Sequence, residues 1–254
     1  MSNSWFVCFR PNTKAVLRLF CFPYAGGGAS IFRGWPEGLP NTVEVYSVEF
    51  PGRGNRLLEP PFIRLFPLVH EMAKVLVPHL DKPFAFFGHS LGALISFELA
   101  RHLLSRYNRH PVHLFVSGRC APQIPDPDPP IHHLSQPEFV EELRKLNGTP
   151  NDVLKHPELM NMLMPVLRAD FEICETYVYS GNGRLNCPIS AFGGLGDSEV
   201  LRENLEGWKT QTSSTFTLRM FPGDHFFLHT AESFLLQELS RNLSNLATRP
   251  MQSL

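Results

Sequence analysis

Dense apolar runs alternate along the chain with stretches in which apolar residues recur every three or four positions. Residues 16–22 (VLRLFCF) form an apolar run ended by Pro23, which predicts a buried strand. A glycine-rich loop, Tyr24-Ala25-Gly26-Gly27-Gly28-Ala29-Ser30, follows and opens a short helix reaching Trp35. A second strand is predicted over 42–50, broken by Pro51-Gly52-Arg53-Gly54. From 65 to 80, Leu68, Val69, Met72, Val75, Leu76 and Leu80 keep helical spacing. The run Phe84-Ala85-Phe86-Phe87 then passes through Gly88-His89-Ser90-Leu91-Gly92 into a helix extending to about 107, and 112–118 is the next strand. Strands alternating with helices imply a parallel sheet covered on both faces.

The alternation stops at 122–130, where five prolines in nine residues exclude a central strand or helix interior. Helical patterns at 136–146, 151–155 and 157–178 follow without an intervening strand. In such a fold an insertion of this kind sits over the C-terminal edge of the sheet, where ligands bind. Residues 122–180 are therefore expected to form a helical lid, the alternative being a helical hairpin without function. Strands resume at 187–193 and 215–221, separated by a short helix over 199–210. A last helix is expected over 230–246, with a disordered tail beyond it. The division is thus 1–121 with 181–254 as the core, and 122–180 as the insertion.

Length and composition narrow the class. A chain of 254 residues with 43% hydrophobic content suits one α/β domain with an insertion, or two small domains. A net charge of -1 gives no signal for nucleic acid. The charge is uneven, however: residues 1–120 carry 13 Lys/Arg against 7 Asp/Glu, and 121–254 carry 10 against 17. No apolar run approaches a membrane span, and the first residues lack the pattern of a secretory signal. Five scattered cysteines without a C-x-x-C pair predict reduced thiols and a cytoplasmic setting.

The chemistry centres on Gly88-His89-Ser90-Leu91-Gly92. A G-x-S-x-G match between strand and helix predicts a sharp turn presenting Ser90, with glycines where strand and helix must meet. A serine hydroxyl needs a base within hydrogen-bond reach, and the base needs an orienting acid. Asp197, in Gly193-Gly194-Leu195-Gly196-Asp197, follows one predicted strand; His225, in Pro222-Gly223-Asp224-His225, follows the next. Alone, Asp197 reads as a helix cap and His225 as an ordinary loop histidine; the order Ser, Asp, His favours a triad. Asp224 is too close in sequence to face His225 well, Asp170 lies in a predicted lid helix and reads as structural, and His229 is the weaker base. The H-x-x-x-H spacing of His225 and His229 lacks a glutamate between them and a third ligand, which argues against a metal. The glycine-rich loop matches no phosphate-binding pattern. Its backbone around Ala25, with the Leu91 N–H, instead suits an oxyanion hole.

Taken in sequence, Phe22-Pro23-Tyr24-Ala25-Gly26-Gly27, Pro51-Gly52-Arg53, Gly88-His89-Ser90-Leu91-Gly92, Leu167-Arg168-Ala169-Asp170, Gly193-Gly194 with Asp197, and Pro222-Gly223-Asp224-His225-Phe226-Phe227 resemble the type II thioesterases. These are free-standing editing hydrolases of polyketide and nonribosomal peptide synthases, and the series is also similar to the medium-chain thioesterase of animal fatty acid synthesis. The resemblance covers nearly the whole chain. It implies an α/β-hydrolase fold with a mostly parallel sheet and a lid bordering an acyl channel. It implies Ser90, Asp197 and His225 as catalytic residues, and Ala25 and Leu91 as oxyanion donors. It also implies a substrate carried on the phosphopantetheine arm of an acyl or peptidyl carrier protein, with no metal or redox cofactor. The protein is expected to act as a monomer, with no membrane or nucleic-acid partner. A general esterase on free esters and a non-catalytic binding protein of the same fold are the alternatives.

Overall fold

The structure, a computed structural model, describes residues 5–149, 151–181 and 183–247. Seven strands form one sheet: β1 (Phe6–Val7), β2 (Leu17–Phe22), β3 (Val43–Val48), β4 (Phe84–His89), β5 (His113–Ser117), β6 (Ile189–Gly194) and β7 (Phe216–Phe221). Their spatial order is β1-β3-β2-β4-β5-β6-β7. Every neighbouring pair is parallel except β1 with β3, where Phe6 lies opposite Val48. Strand order reverses between β2 and β4, so the loops leaving these two strands flank the topological switch point, the crevice where α/β sheets bind ligands.

Burial on both faces explains why β2, β4 and β5 read as near-continuous apolar runs, whereas β7, at the sheet edge, alternates half-buried and exposed residues. Successive residues still divide between two cores. Phe20, Phe22, Phe84, Phe86, Leu114 and Val116 face α2 (Leu65–Leu76) and α3 (Leu91–Tyr107). Leu19, Cys21, Ala85, Phe87, Phe115 and Phe192 face α1 (Trp35–Gly38), α8 (Phe227–Thr230) and α9 (Glu232–Ala247). The period of two in the strands thus builds a three-layer molecule.

The insertion contains α4 (Gln136–Lys145), α5 (Asn151–Leu154) and α6 (Pro157–Glu175). It has its own apolar centre of Phe139, Leu143, Leu154, Met160, Met164 and Leu167. Pro165 lies inside α6 and has no N–H for the carbonyl one turn back. Before it, Met160 and Met164 pack on α4 and α5; beyond it, Ile173 joins the main core. Helix α7 (Arg202–Glu206) and a following turn of 3-10 helix occupy the segment expected to be a single helix. Among the described residues no helix is long and apolar enough to cross a membrane. The tail expected after the last helix lies outside the described residues.

Candidate active site

Ser90 stands between β4 and α3 with φ 53° and ψ -115°, a conformation costing a residue with a side chain about 1–3 kcal/mol. The surroundings impose it. The Ser90 N–H donates to the Ser117 carbonyl at the end of β5 (2.8 Å), and the Ser90 carbonyl accepts from Ala93 N–H (3.0 Å). A Cβ at Gly88 would lie 2.2 Å from the Gly92 carbonyl oxygen, and one at Gly92 would lie 2.1 Å from the Phe22 carbonyl oxygen. The two glycines therefore let β2, β4 and the start of α3 meet at backbone distance. Leu91, first residue of α3, has no carbonyl one turn back to receive its N–H.

The structure brings Asp197 and His225 together. Asp197 Oδ2 is 2.9 Å from His225 Nδ1, and Asp197 Oδ1 accepts the N–H groups of Glu199 (2.9 Å) and Val200 (3.1 Å). The carboxylate is thus both turn cap and histidine partner, a combination that fixes its orientation. Its side chain is fully buried, whereas that of His225 keeps 16% exposure. The bond at Nδ1 leaves Nε2 as the basic nitrogen of a neutral imidazole. The ring lies against the end of β5: its Cε1 would sit 3.3 Å from a Cβ at Gly118, the residue after Ser117. It is also 5.1 Å from the His89 ring, centroid to centroid. Asp224 turns away, its Oδ1 accepting Phe226 N–H at 2.9 Å. His229 Nε2 pairs with the Tyr24 hydroxyl (3.0 Å), so the two histidines of the H-x-x-x-H pair serve different partners.

Beside the serine, the Tyr24–Gly27 loop forms a tight turn closed by Gly27 N–H on the Tyr24 carbonyl (2.9 Å), with Gly26 at φ 75°. Positive φ at the third turn position suits glycine, and here a Cβ would also strike Leu167 Cδ2 at 2.6 Å. A Cβ at Gly92 would also lie 2.7 Å from the Pro23 carbonyl oxygen, so the start of α3 packs against the strand end that leads into this turn.

Two features were beyond sequence reasoning. His89 is fully buried; its Nδ1 meets Ser117 Oγ at 2.9 Å while its Nε2 has no partner among the described residues. Burial, with the nearby His225 and His229, holds its value well below the ordinary histidine range, so it stays neutral. Arg53 and Asp170 form a buried forked pair, at 2.8 Å on both arms. Both lie in motifs quoted above, Pro51-Gly52-Arg53 and Leu167-Arg168-Ala169-Asp170, but nothing in the sequence pairs positions 117 residues apart.

Comparison with known proteins gives a consistent picture. Residues 17–244 match the thioesterase domain family. The chain is 48% identical over 241 residues to the gramicidin S biosynthesis protein GrsT of Aneurinibacillus migulanus, covering 95% of this chain and 94% of that protein. It is 34% identical to the medium-chain S-acyl fatty acid synthase thioesterase of Rattus norvegicus, covering 87% and 85% of the two chains. Among solved structures, the type II thioesterase BorB from the borrelidin biosynthetic cluster superposes with a TM-score of 0.88 at 35% identity, covering 96% of this chain and 99% of that one. With its α/β architecture and these relatives along nearly its full length, the chain belongs to the thioesterase family.

Proposed function

We propose that the protein hydrolyses acyl thioesters held on the phosphopantetheine arm of acyl or peptidyl carrier proteins, clearing aberrant short acyl units from a polyketide or nonribosomal peptide synthase. The observation that carries this reading is the Asp197–His225 bond, with the His225 ring against Gly118 next to Ser117, whose carbonyl receives the N–H of the strained Ser90. His225 Nε2 takes the Ser90 proton as Oγ attacks the thioester carbonyl. Asp197 holds the imidazole in the tautomer this requires and stabilises its cationic form. The N–H groups of Ala25 and Leu91 receive the developing oxyanion. The pantetheine thiol leaves with the proton, and water activated by His225 releases the acid from the acyl-serine. No step calls for a metal or redox cofactor. The partner is a carrier domain and the protein acts alone, in the cytoplasm, where its five free cysteines stay reduced.

Acyl release from an acetyl-loaded carrier protein, measured beside acetyl-coenzyme A and p-nitrophenyl acetate, tests the proposal. Faster turnover of the carrier thioester is expected, and loss of turnover without loss of fold in Ser90→Ala. Equal or better turnover of the free esters would replace carrier editing with general esterase activity, and substantial activity in Ser90→Ala would remove the triad.

A further inference from the structure

The buried pair Arg53–Asp170 lies outside the catalytic set, yet its hydrogen bonds end on the loop that carries Ala25. Asp170 is 2% exposed and Arg53 is 7% exposed. Asp170 Oδ2 accepts the Gly26 N–H (2.8 Å) as well as Arg53 Nη1 (2.8 Å), and Oδ1 accepts Arg53 Nη2 (2.8 Å). Arg53 Nη1 also donates to the Gly27 carbonyl (3.0 Å). Together with the Gly27 N–H on the Tyr24 carbonyl, these bonds tie the peptide units on both sides of Ala25. The peptide that carries the Ala25 N–H is fixed at its carbonyl end, and the next is fixed at its N–H. Rotation of the Ala25 amide would break at least one of them.

We propose that Arg53 and Asp170 are positioning residues that preorganise the Ala25 N–H for the oxyanion, linking the oxyanion loop to helix α6 of the insertion. The inference rests on the hydrolytic reading above. Its physical basis is that an oxyanion donor is effective when it needs no reorganisation during the reaction. A buried ion pair is a weak source of stability, because desolvation offsets much of its attraction. Arg53 even leaves its buried Nε without a partner among the described residues. A pair so placed suits orientation better than stability. The arginine also acts through its charge. An unneutralised carboxylate bonded to this loop from α6 would oppose negative charge on the substrate oxygen, and the fork cancels it. Leu167, one turn before Asp170 in α6, fills the space beside Gly26, so the same helix face contacts the turn twice.

The test compares Arg53→Lys and Asp170→Asn with the unaltered protein. Arg53→Lys keeps the charge and loses the fork. Kinetics on an acetyl-pantetheine thioester are joined by the affinities of two pantetheine analogues: a trifluoromethyl ketone, which forms a tetrahedral adduct with serine, and an unreactive thioether. Hydrogen exchange is followed over residues 24–28. In both variants kcat is expected to fall about tenfold or more with KM within about threefold. Ketone affinity should fall by the same factor, thioether affinity should stay unchanged, and exchange at 24–28 should quicken. Unchanged kcat in a folded Arg53→Lys would overturn the proposal, as would kcat and thioether affinity falling together. A gain of kcat in Asp170→Asn would replace positioning with a purely electrostatic role and also overturn it. Should neither variant fold, the pair belongs to stability and the proposal fails. An unaltered protein that turns over no ester would refute the hydrolytic reading instead. The clamp is then judged by exchange alone, and unchanged exchange at 24–28 refutes it.

Discussion

At the scale of single residues, the side chains around Ser90 divide labour by protonation and by acceptor count. Asp197 uses one oxygen for two backbone N–H groups and the other for His225. Asp197→Asn can keep the backbone bonds while presenting an amide to Nδ1. It should therefore fold normally and lose kcat by a factor on the order of 10⁴ through the wrong imidazole tautomer; steady-state kinetics beside circular dichroism checks this. His89 predicts a pH effect on stability rather than rate. Burial lowers its value far below the ordinary 6.5. Below about pH 6.5 the unfolded chain takes up a proton that the folded protein refuses, so the unfolded state binds more protons. The stabilisation is thus complete above that pH and is lost as pH falls, at no more than about 1.4 kcal/mol per pH unit for one group. His89→Asn, which can keep the bond to Ser117, should flatten the fall in urea midpoint between pH 6.5 and 5. Burial also depresses His79, His102 and His229, so a residual slope should remain.

At the scale of elements, the junction of β2, β4 and α3 depends on two absent methyl groups. The atoms that a Cβ at Gly92 would meet are backbone carbonyls of Phe22 and Pro23, which cannot swing aside. Gly92→Ala should cost about 1–3 kcal/mol or more and displace the Leu91 N–H, reducing urea stability and kcat together. Gly34, with open space around its Cβ position and a right-handed helical backbone, supplies a control: Gly34→Ala should leave both unchanged. The junction was legible in the sequence because an apolar run, a G-x-S-x-G turn and a helical pattern adjoin. Strand ends likewise placed Asp197 and His225, since parallel strands of one sheet deliver their following loops to one edge. Less was legible where packing decides. The strand Phe6–Val7 is two residues long and exists only by pairing with β3. Asp170 read as structural inside its helix, because a carboxylate's partner across the fold leaves no local trace.

At the scale of the whole molecule, the uneven charge becomes a statement about encounter. The basic first half carries Ser90, the Tyr24–Gly27 loop and Arg53, while the acidic second half carries Asp197, His225 and the insertion. Carrier domains with acidic surfaces would be drawn to the basic half. The carrier kcat/KM should therefore fall several-fold between about 0.05 and 0.3 M salt, with hydrolysis of a neutral ester unchanged. A stopped assay across that range measures both, and a flat carrier profile would assign docking to apolar contact.

Pro165 gives the insertion an uneven grain. Met160 and Met164, before the proline, pack with α4 and α5; after it Leu167 and Phe171 still meet that apolar centre, while Leu167 also lies against Gly26 and Asp170 accepts the Gly26 N–H. The later turns of α6 thus serve two neighbours at once, so a substitution at Leu167 disturbs the packing of the insertion and the glycine turn together.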